Sequence, residues 1–327
     1  MRTHAPERRI ALCLALTTTV TVLVASVALA ATITGSERRE RLTGTSGPDT
    51  ISARGGADRV RALAGDDLIR GQGGRDRIDA GAGQDRVGGG RGADRIFGGA
   101  GHDVLGGDSG RDRIRGGEFN DRISGGRDRD RLHGNAGEDT VFGRTGADRI
   151  TGNAGDDRLF GGRGAAGDRI FGGPGADTVV GGFGRDRLHG GDEGDEIRGG
   201  SRRDVISGGR GNDTSSGGRG NDLVFANLGA DVSSGGPGDD ELWALARSDV
   251  PLPGVDRLNG GSGRDVFRVR DGEADVVNCG TGNDVVSADR LDVLSADCER
   301  VVRAAPRPGD ESPENATQFP SEDAGQG

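Results

Sequence analysis

Aspartate returns every nine residues through most of this chain. From Asp49 it recurs at Asp58, Asp67, Asp76, Asp85, Asp94, Asp103, Asp112, Asp121, Asp130, Asp139, Asp148 and Asp157. After a two-residue slip the series resumes at Asp168 and runs through Asp177, Asp186, Asp195, Asp204, Asp213, Asp222, Asp231 and Asp240. An insertion from Ala244 to Gly254 precedes Asp256 and Asp265. Asp275 and Asp284 follow, with one ten-residue step, which makes 26 units. A fixed internal period is the signature of a repeat architecture, in which each unit buries its apolar side only by stacking on its neighbours.

With the recurring aspartate numbered position 6, position 4 is usually glycine, and positions 1 and 2 are glycine or another small or polar residue. Position 8 is nearly always aliphatic, as at Ile51, Val60, Ile69, Ile78, Val87, Ile96, Leu105 and Ile114. Glycine reaches positive φ without a Cβ clash, so the first six residues can turn sharply. The next three predict a very short strand, and alternation leaves only its middle side chain, position 8, facing inward. Position 7 faces water and is arginine at Arg59, Arg77, Arg86, Arg95 and Arg113. Two units make a coil of about 18 residues, and successive coils stack as parallel strands about 4.8 Å apart. The predicted fold is all-β, a right-handed parallel β-solenoid, or β-roll, of tandem nonapeptides.

Stacking brings aspartates two units apart into columns, Asp49, Asp67, Asp85 and Asp103 along one edge and Asp58, Asp76, Asp94 and Asp112 along the other. Bare carboxylates roughly 5 Å apart repel by about 0.8 kcal/mol per pair even in water, and the cost repeats along the column. Ca2+ accepts about six to eight oxygens in flexible geometry. Carboxylates and turn carbonyls together supply that chemistry, so Ca2+ is the expected partner of these columns.

Composition narrows the alternatives. Hydrophobic residues are 31% of the 327, aromatics 3%, and glycine alone contributes 66, so a conventional core of large side chains is out of reach. Low hydrophobicity with a net charge of −10 fits a disordered chain, but the strict order of glycine and aspartate argues against disorder. The 43 basic residues are all arginine and are interleaved with aspartate along the chain rather than segregated, which argues against nucleic acid as the main partner. His4 lies near the N-terminus, and His102, His133 and His189 sit in separate repeats. Neither a zinc-type His/Cys spacing nor a Gly-x-Ser-x-Gly elbow occurs, and the repeats leave no room for a catalytic domain. The chain reads as no enzyme, with no catalytic residues.

So many copies in register resemble the repeats-in-toxin (RTX), or haemolysin-type, calcium-binding nonapeptide family, over roughly residues 44–287. The resemblance implies Ca2+ held between successive turns of a parallel β-roll, with the 24 position-6 aspartates from Asp49 to Asp265 as side-chain ligands. Eight units carry glycine at positions 1, 2 and 4, and the strongest sites are expected near Asp94–Asp103, Asp177–Asp186 and Asp213–Asp240. Position 4 departs from glycine at Phe119, Asp128, Glu193 and Arg202, two pairs of consecutive units, so weaker sites are expected there. Position 8 becomes Ser215 and Ser233, which are predicted to stack on one sheet.

Residues 1–30 read as a secretory signal. Arg2, Arg8 and Arg9 precede an apolar run from Ile10 to Ala30, and Ala28-Leu29-Ala30 supplies the small-x-small cleavage pattern. An uncleaved membrane anchor is the alternative. On the first reading the mature protein is extracellular, without a membrane span. Cys13 falls in the signal, which leaves Cys279 and Cys298 as a pair expected to form a disulfide. Residues 31–43 are expected to form an N-terminal cap, 44–243 the main roll and 244–254 an inserted loop. Irregular repeats and a disulfide-pinned cap follow at 255–303, then a disordered tail at 304–327. Two functions fit. One is a monomeric protein whose roll is stabilised by Ca2+. The other is a cell-surface adhesin or polysaccharide-recognition module that uses the arginine-lined faces, with Trp243 beside the insertion.

Overall fold

The computed structural model describes residues 29–244 and 254–306. Successive nonapeptides contribute strands to alternate sheets. One sheet has 16 strands and begins at Thr32–Thr34; the other has 15 and begins at Arg41–Thr43. Neighbouring strands are parallel, and their register is one coil: Leu105 lies opposite Ile123, and Ile96 opposite Ile114. The two-residue slip lengthens one coil, with Arg149 opposite Arg169, and the insertion another, with Ser233 opposite Leu258. Both extra segments are accommodated in turns, because the ladder tolerates no change of register without turning the apolar row outward. The fold is an all-parallel, many-turn β-solenoid.

The strands are longer than the three residues expected. Arg95–Ala100 and Arg122–Arg127 are typical, with six residues running from position 7 to position 3 of the next unit. Position 1 points inward as well as position 8, and the strand bends at position 2, where Gly90 (φ 100°) and Gly99 (φ 120°) take a conformation that a Cβ disfavours. Two inward positions per strand leave room for one aliphatic side chain and one very small residue.

The interior is therefore a double row of position-8 side chains. Ile69, Ile78, Ile96, Ile114, Ile123 and Leu132 are completely buried. Each stabilises the roll by about 1.5–3 kcal/mol relative to an exposed side chain. Ser215 and Ser233 lie opposite one another on the 16-stranded sheet, as their spacing predicts. Both are buried, and the Ser215 hydroxyl has no hydrogen-bond partner. At the ends of the rows Ile33, Leu42 and Leu294 are only partly covered. Cys279 and Cys298 form a disulfide that ties the last nonapeptide to the segment leading into the final strand, Arg300–Arg303.

The two outer faces differ. Position 7 of the 15-stranded sheet is arginine on nine consecutive rungs, from Arg41 through Arg59, Arg77 and Arg95 to Arg187, each in register with the next. The same position of the other sheet runs Thr50, Leu68, Arg86, Val104, Arg122, Thr140. The signal-like segment up to Ala28, most of the inserted loop and the tail beyond Pro306 lie outside the described residues. Among those described, no helix is long and apolar enough to cross a membrane.

Candidate functional site

Each recurring aspartate closes a turn and begins a strand. Its carbonyl accepts the position-7 N–H of the following coil, as Asp94 does from Arg113 at 2.9 Å. That bond fixes the backbone in the ladder and aims the carboxylate between coils. From Asp49 to Asp265, each aspartate N–H donates to Oδ1 of the aspartate one coil later: Asp49 to Asp67 and Asp76 to Asp94 at 2.7 Å, and Asp94 to Asp112 at 2.8 Å. The ladder crosses the slip, where Asp148 donates to Asp168, and the insertion, where Asp231 donates to Asp256. All 24 predicted ligands thus stand in two continuous columns, each buried to within 3% of complete.

The second carboxylate oxygen has a different environment. Oδ2 of Asp58, Asp94, Asp112, Asp186, Asp213 and most other column aspartates is buried without a hydrogen-bond partner. Where position 1 is glycine, it faces the bare Cα of that residue. A Cβ added to Gly89 would fall 2.6 Å from Asp94 Oδ2 and 3.1 Å from the Gly107 carbonyl oxygen. On Gly143 it would fall 2.6 Å from both Asp148 Oδ2 and the Gly161 carbonyl. Two acceptors from successive coils therefore share a small space with no donor between them. Buried acceptors without partners are costly and rare, and a cation or a bound proton is what such an arrangement favours. The residues present fit a hard, oxygen-seeking divalent ion.

The electrostatics point the same way. Burial, with the charge of column neighbours added, pushes the Asp112 carboxyl up to about 7 and those of Asp121, Asp130, Asp195 and Asp204 up to about 8. Asp67, Asp85 and Asp103 are raised to about 6 by the same burial. In each case the N–H from the previous coil pulls in the opposite direction and loses.

Several positions depart from the pattern expected of them. Asp49 is the first rung, and its Oδ2 accepts the Thr45 N–H at 2.6 Å. Burial raises its carboxyl, but the N–H groups of Thr45 and Ala31 and the Thr45 hydroxyl outweigh it, and the carboxyl lies below its ordinary value. Asp275 and Asp284, on the period but not among the candidate ligands, carry the same buried, unpartnered Oδ2 as the rest. Asp292 and Glu299 end the columns by accepting the N–H groups of Asp275 and Asp284 at 3.2 and 2.9 Å. No period announces these last two, because the final coils are shorter.

The non-glycine residues at position 4 keep the turn. Phe119, Asp128, Glu193 and Arg202 hold φ between 76° and 80°, and Gly116, Gly125, Gly190 and Gly199 supply position 1 in those units. Each such residue costs of order 1 kcal/mol in backbone strain without removing the oxygen pair. Position 1 matters more: at Ala53, Ala62, Ala80 and Ala226 a buried methyl occupies the space that a glycine leaves open.

Among the described residues, no group of three or more His, Cys, Asp or Glu side chains could hold a metal by itself. Any ion between these turns must draw on backbone carbonyls. His189 is half-buried, stacked on Phe171 at 4.9 Å, and held neutral by desolvation, which lowers it to about 4. That is a packing role on the outer face, remote from the columns.

No curated protein matches the chain. The profile described as the RTX calcium-binding nonapeptide repeat, in four copies, matches in ten segments that together cover residues 34–246 and 252–286. Such repeats are structural and calcium-binding rather than catalytic. Their stacked, aspartate-closed turns are the ones described above, and the chain belongs to the RTX calcium-binding nonapeptide repeat family.

Proposed function

We propose that this is a secreted protein whose β-roll is completed by Ca2+ held between successive turns. The position-6 aspartates from Asp58 to Asp265 and the position-1 carbonyls of neighbouring coils are the ligands. The observation that carries this reading is the row of buried, unpartnered Oδ2 atoms facing a carbonyl of the next coil. The signal-like N-terminus supports export, and extracellular calcium modules bind at about 10⁻⁴–10⁻³ M, the range in which calcium is plentiful outside cells. Inside the cell the unneutralised columns oppose folding, so export would precede completion of the roll. Asp49 serves as the first rung rather than as a ligand. The units with alanine at position 1 bind more weakly than those ending at Asp94, Asp103, Asp177, Asp186, Asp213, Asp222, Asp240 and Asp265.

Circular dichroism of the full chain, with calcium and after chelation, tests the reading together with calorimetric titration of calcium. Recovery of the β signal on adding Ca2+, with saturation at many ions per chain, is expected. An identical β signal with no heat of binding would overturn it.

A further inference from the structure

The nine-rung arginine row stands on the outer face of the 15-stranded sheet. Seven of its members are exposed, and Arg95 and Arg149 are half-buried. At about 4.8 Å per rung it extends for roughly 40 Å. Neighbouring guanidiniums at that spacing repel one another, the more so at low salt. The fold does not require this, since the other sheet accepts Thr50, Leu68, Val104 and Thr140 at equivalent rungs. Ion pairs nearby lie off the row, as between Arg61 and Asp79 at 3.5 Å. Arg59, Arg113, Arg131, Arg169 and Arg187 make no ion pair or side-chain hydrogen bond among the described residues.

A second arginine row meets the first. Position 5 of the same turns reads Arg129, Ala147, Gly167, Arg185 and Arg203 on successive coils. The two small residues leave a groove of about 600 Å³, lined by these three arginines and by Arg149, Arg169 and Arg187 of the main row. The carboxylates that also line it, Asp148, Asp168 and Asp186, are almost fully buried column members. Flat rings lie beside the row at position 9: the Arg77 guanidinium is 5.3 Å from the Phe97 ring, and Phe171 follows further along.

We propose that this face binds an extended acidic polysaccharide, whose carboxylated chain lies along the solenoid axis with its deepest seat in the groove between Arg129 and Arg203. Guanidinium groups match carboxylates in geometry as well as charge, and a straight row of them suits a ligand with one carboxylate per sugar. The exposed ring of Phe171 offers an apolar platform to a sugar face. Single-stranded nucleic acid is less suited, because the rings do not recur at intervals that would stack successive bases. The inference rests on the register of the roll and not on which calcium sites are filled.

The test is calorimetric titration of the full chain, at fixed calcium, with an oligogalacturonate, a neutral dextran oligomer and an oligothymidylate. Binding of the oligogalacturonate, weakened by salt, is expected. Arg149→Gln/Arg169→Gln/Arg187→Gln should weaken it by about tenfold or more. Arg86→Gln/Arg122→Gln/Arg158→Gln removes the same charge from the other sheet and should change affinity by less than about threefold. Circular dichroism establishes that both variants retain the roll. The proposal is overturned by absence of oligogalacturonate binding, by equal binding of dextran or tighter binding of oligothymidylate, or by equal losses in the two variants. Binding that survives in the Arg149→Gln/Arg169→Gln/Arg187→Gln variant would place the sugar on bound calcium instead and would equally overturn it.

Discussion

The N–H of Asp94 donates to Oδ1 of Asp112 at 2.8 Å, one coil apart, while Oδ2 of the same Asp112 carboxylate is buried without a partner. One side chain therefore has two separable tasks. Oδ1 completes the turn of the preceding coil. Oδ2 awaits a proton or a cation.

Two substitutions at this residue should separate the tasks. Asp112→Asn retains the acceptor for the Asp94 N–H and places an amide donor where Oδ2 stood. Calcium stoichiometry should fall, and metal-free stability should hold or rise. Asp112→Ala leaves the Asp94 N–H unsatisfied and should cost about 1–3 kcal/mol even without metal. Urea unfolding of the metal-free chain at pH 4–5, where the protonated columns keep it folded, alongside calcium calorimetry at pH 7, reads both outcomes.

Metal-free stability should fall as pH rises. Many of the column carboxyls titrate well above their ordinary value in the folded chain, at about 6 for Asp67, 7 for Asp76 and 8 for Asp121, against 3.8 without the fold. Between those values the folded state holds more protons than the unfolded one, so stability is full below about pH 4 and is lost as pH climbs toward 8. Thermal melts of the chelated protein at pH 5 and pH 8 check the direction, with the higher melting temperature expected at pH 5. Adding Ca2+ at pH 7 should release protons into a weakly buffered solution, because the ion replaces those still held by Asp121, Asp130 and their like.

The serine pair marks the weakest point of the interior. Ser215→Val replaces a buried hydroxyl that has no partner with a branched side chain suited to a strand. A gain of about 1–2 kcal/mol is expected in urea unfolding. The reverse experiment, Ile123→Ala in the fully buried row, should cost about 2–5 kcal/mol.

Removing the Cys279–Cys298 disulfide should loosen the C-terminal coils first. The cysteines are 19 residues apart, and a link of that length stabilises by about 3 kcal/mol on loop-entropy grounds. Cys279→Ser/Cys298→Ser should speed amide hydrogen exchange in Val276–Gly282 and Val285–Ala288 while leaving Arg95–Ala100 unaffected. Uniform acceleration along the whole roll would show that the cap controls global rather than local opening.

What the amino-acid order determined by itself was the register. A nine-residue period with one aliphatic position forces two units per coil. It fixes which aspartates share a column and which serines meet, and it left Cys279 and Cys298 to pair. These follow because strand alternation and stacking are set by backbone geometry that every unit shares. The tertiary structure decided what depends on the neighbouring coil. It showed strands of six residues rather than three, because position 1 also turns inward. It divided most of the column carboxylates into a bonded and an unbonded oxygen, satisfied Asp49 through Thr45, and extended the columns to Asp292 and Glu299. It also gathered nine arginines on one face, where along the chain they are mixed with those of the other. Apart from the local Asp49–Thr45 bond, these are contacts between neighbouring coils, and a side chain acquires such a neighbour only when the coils stack.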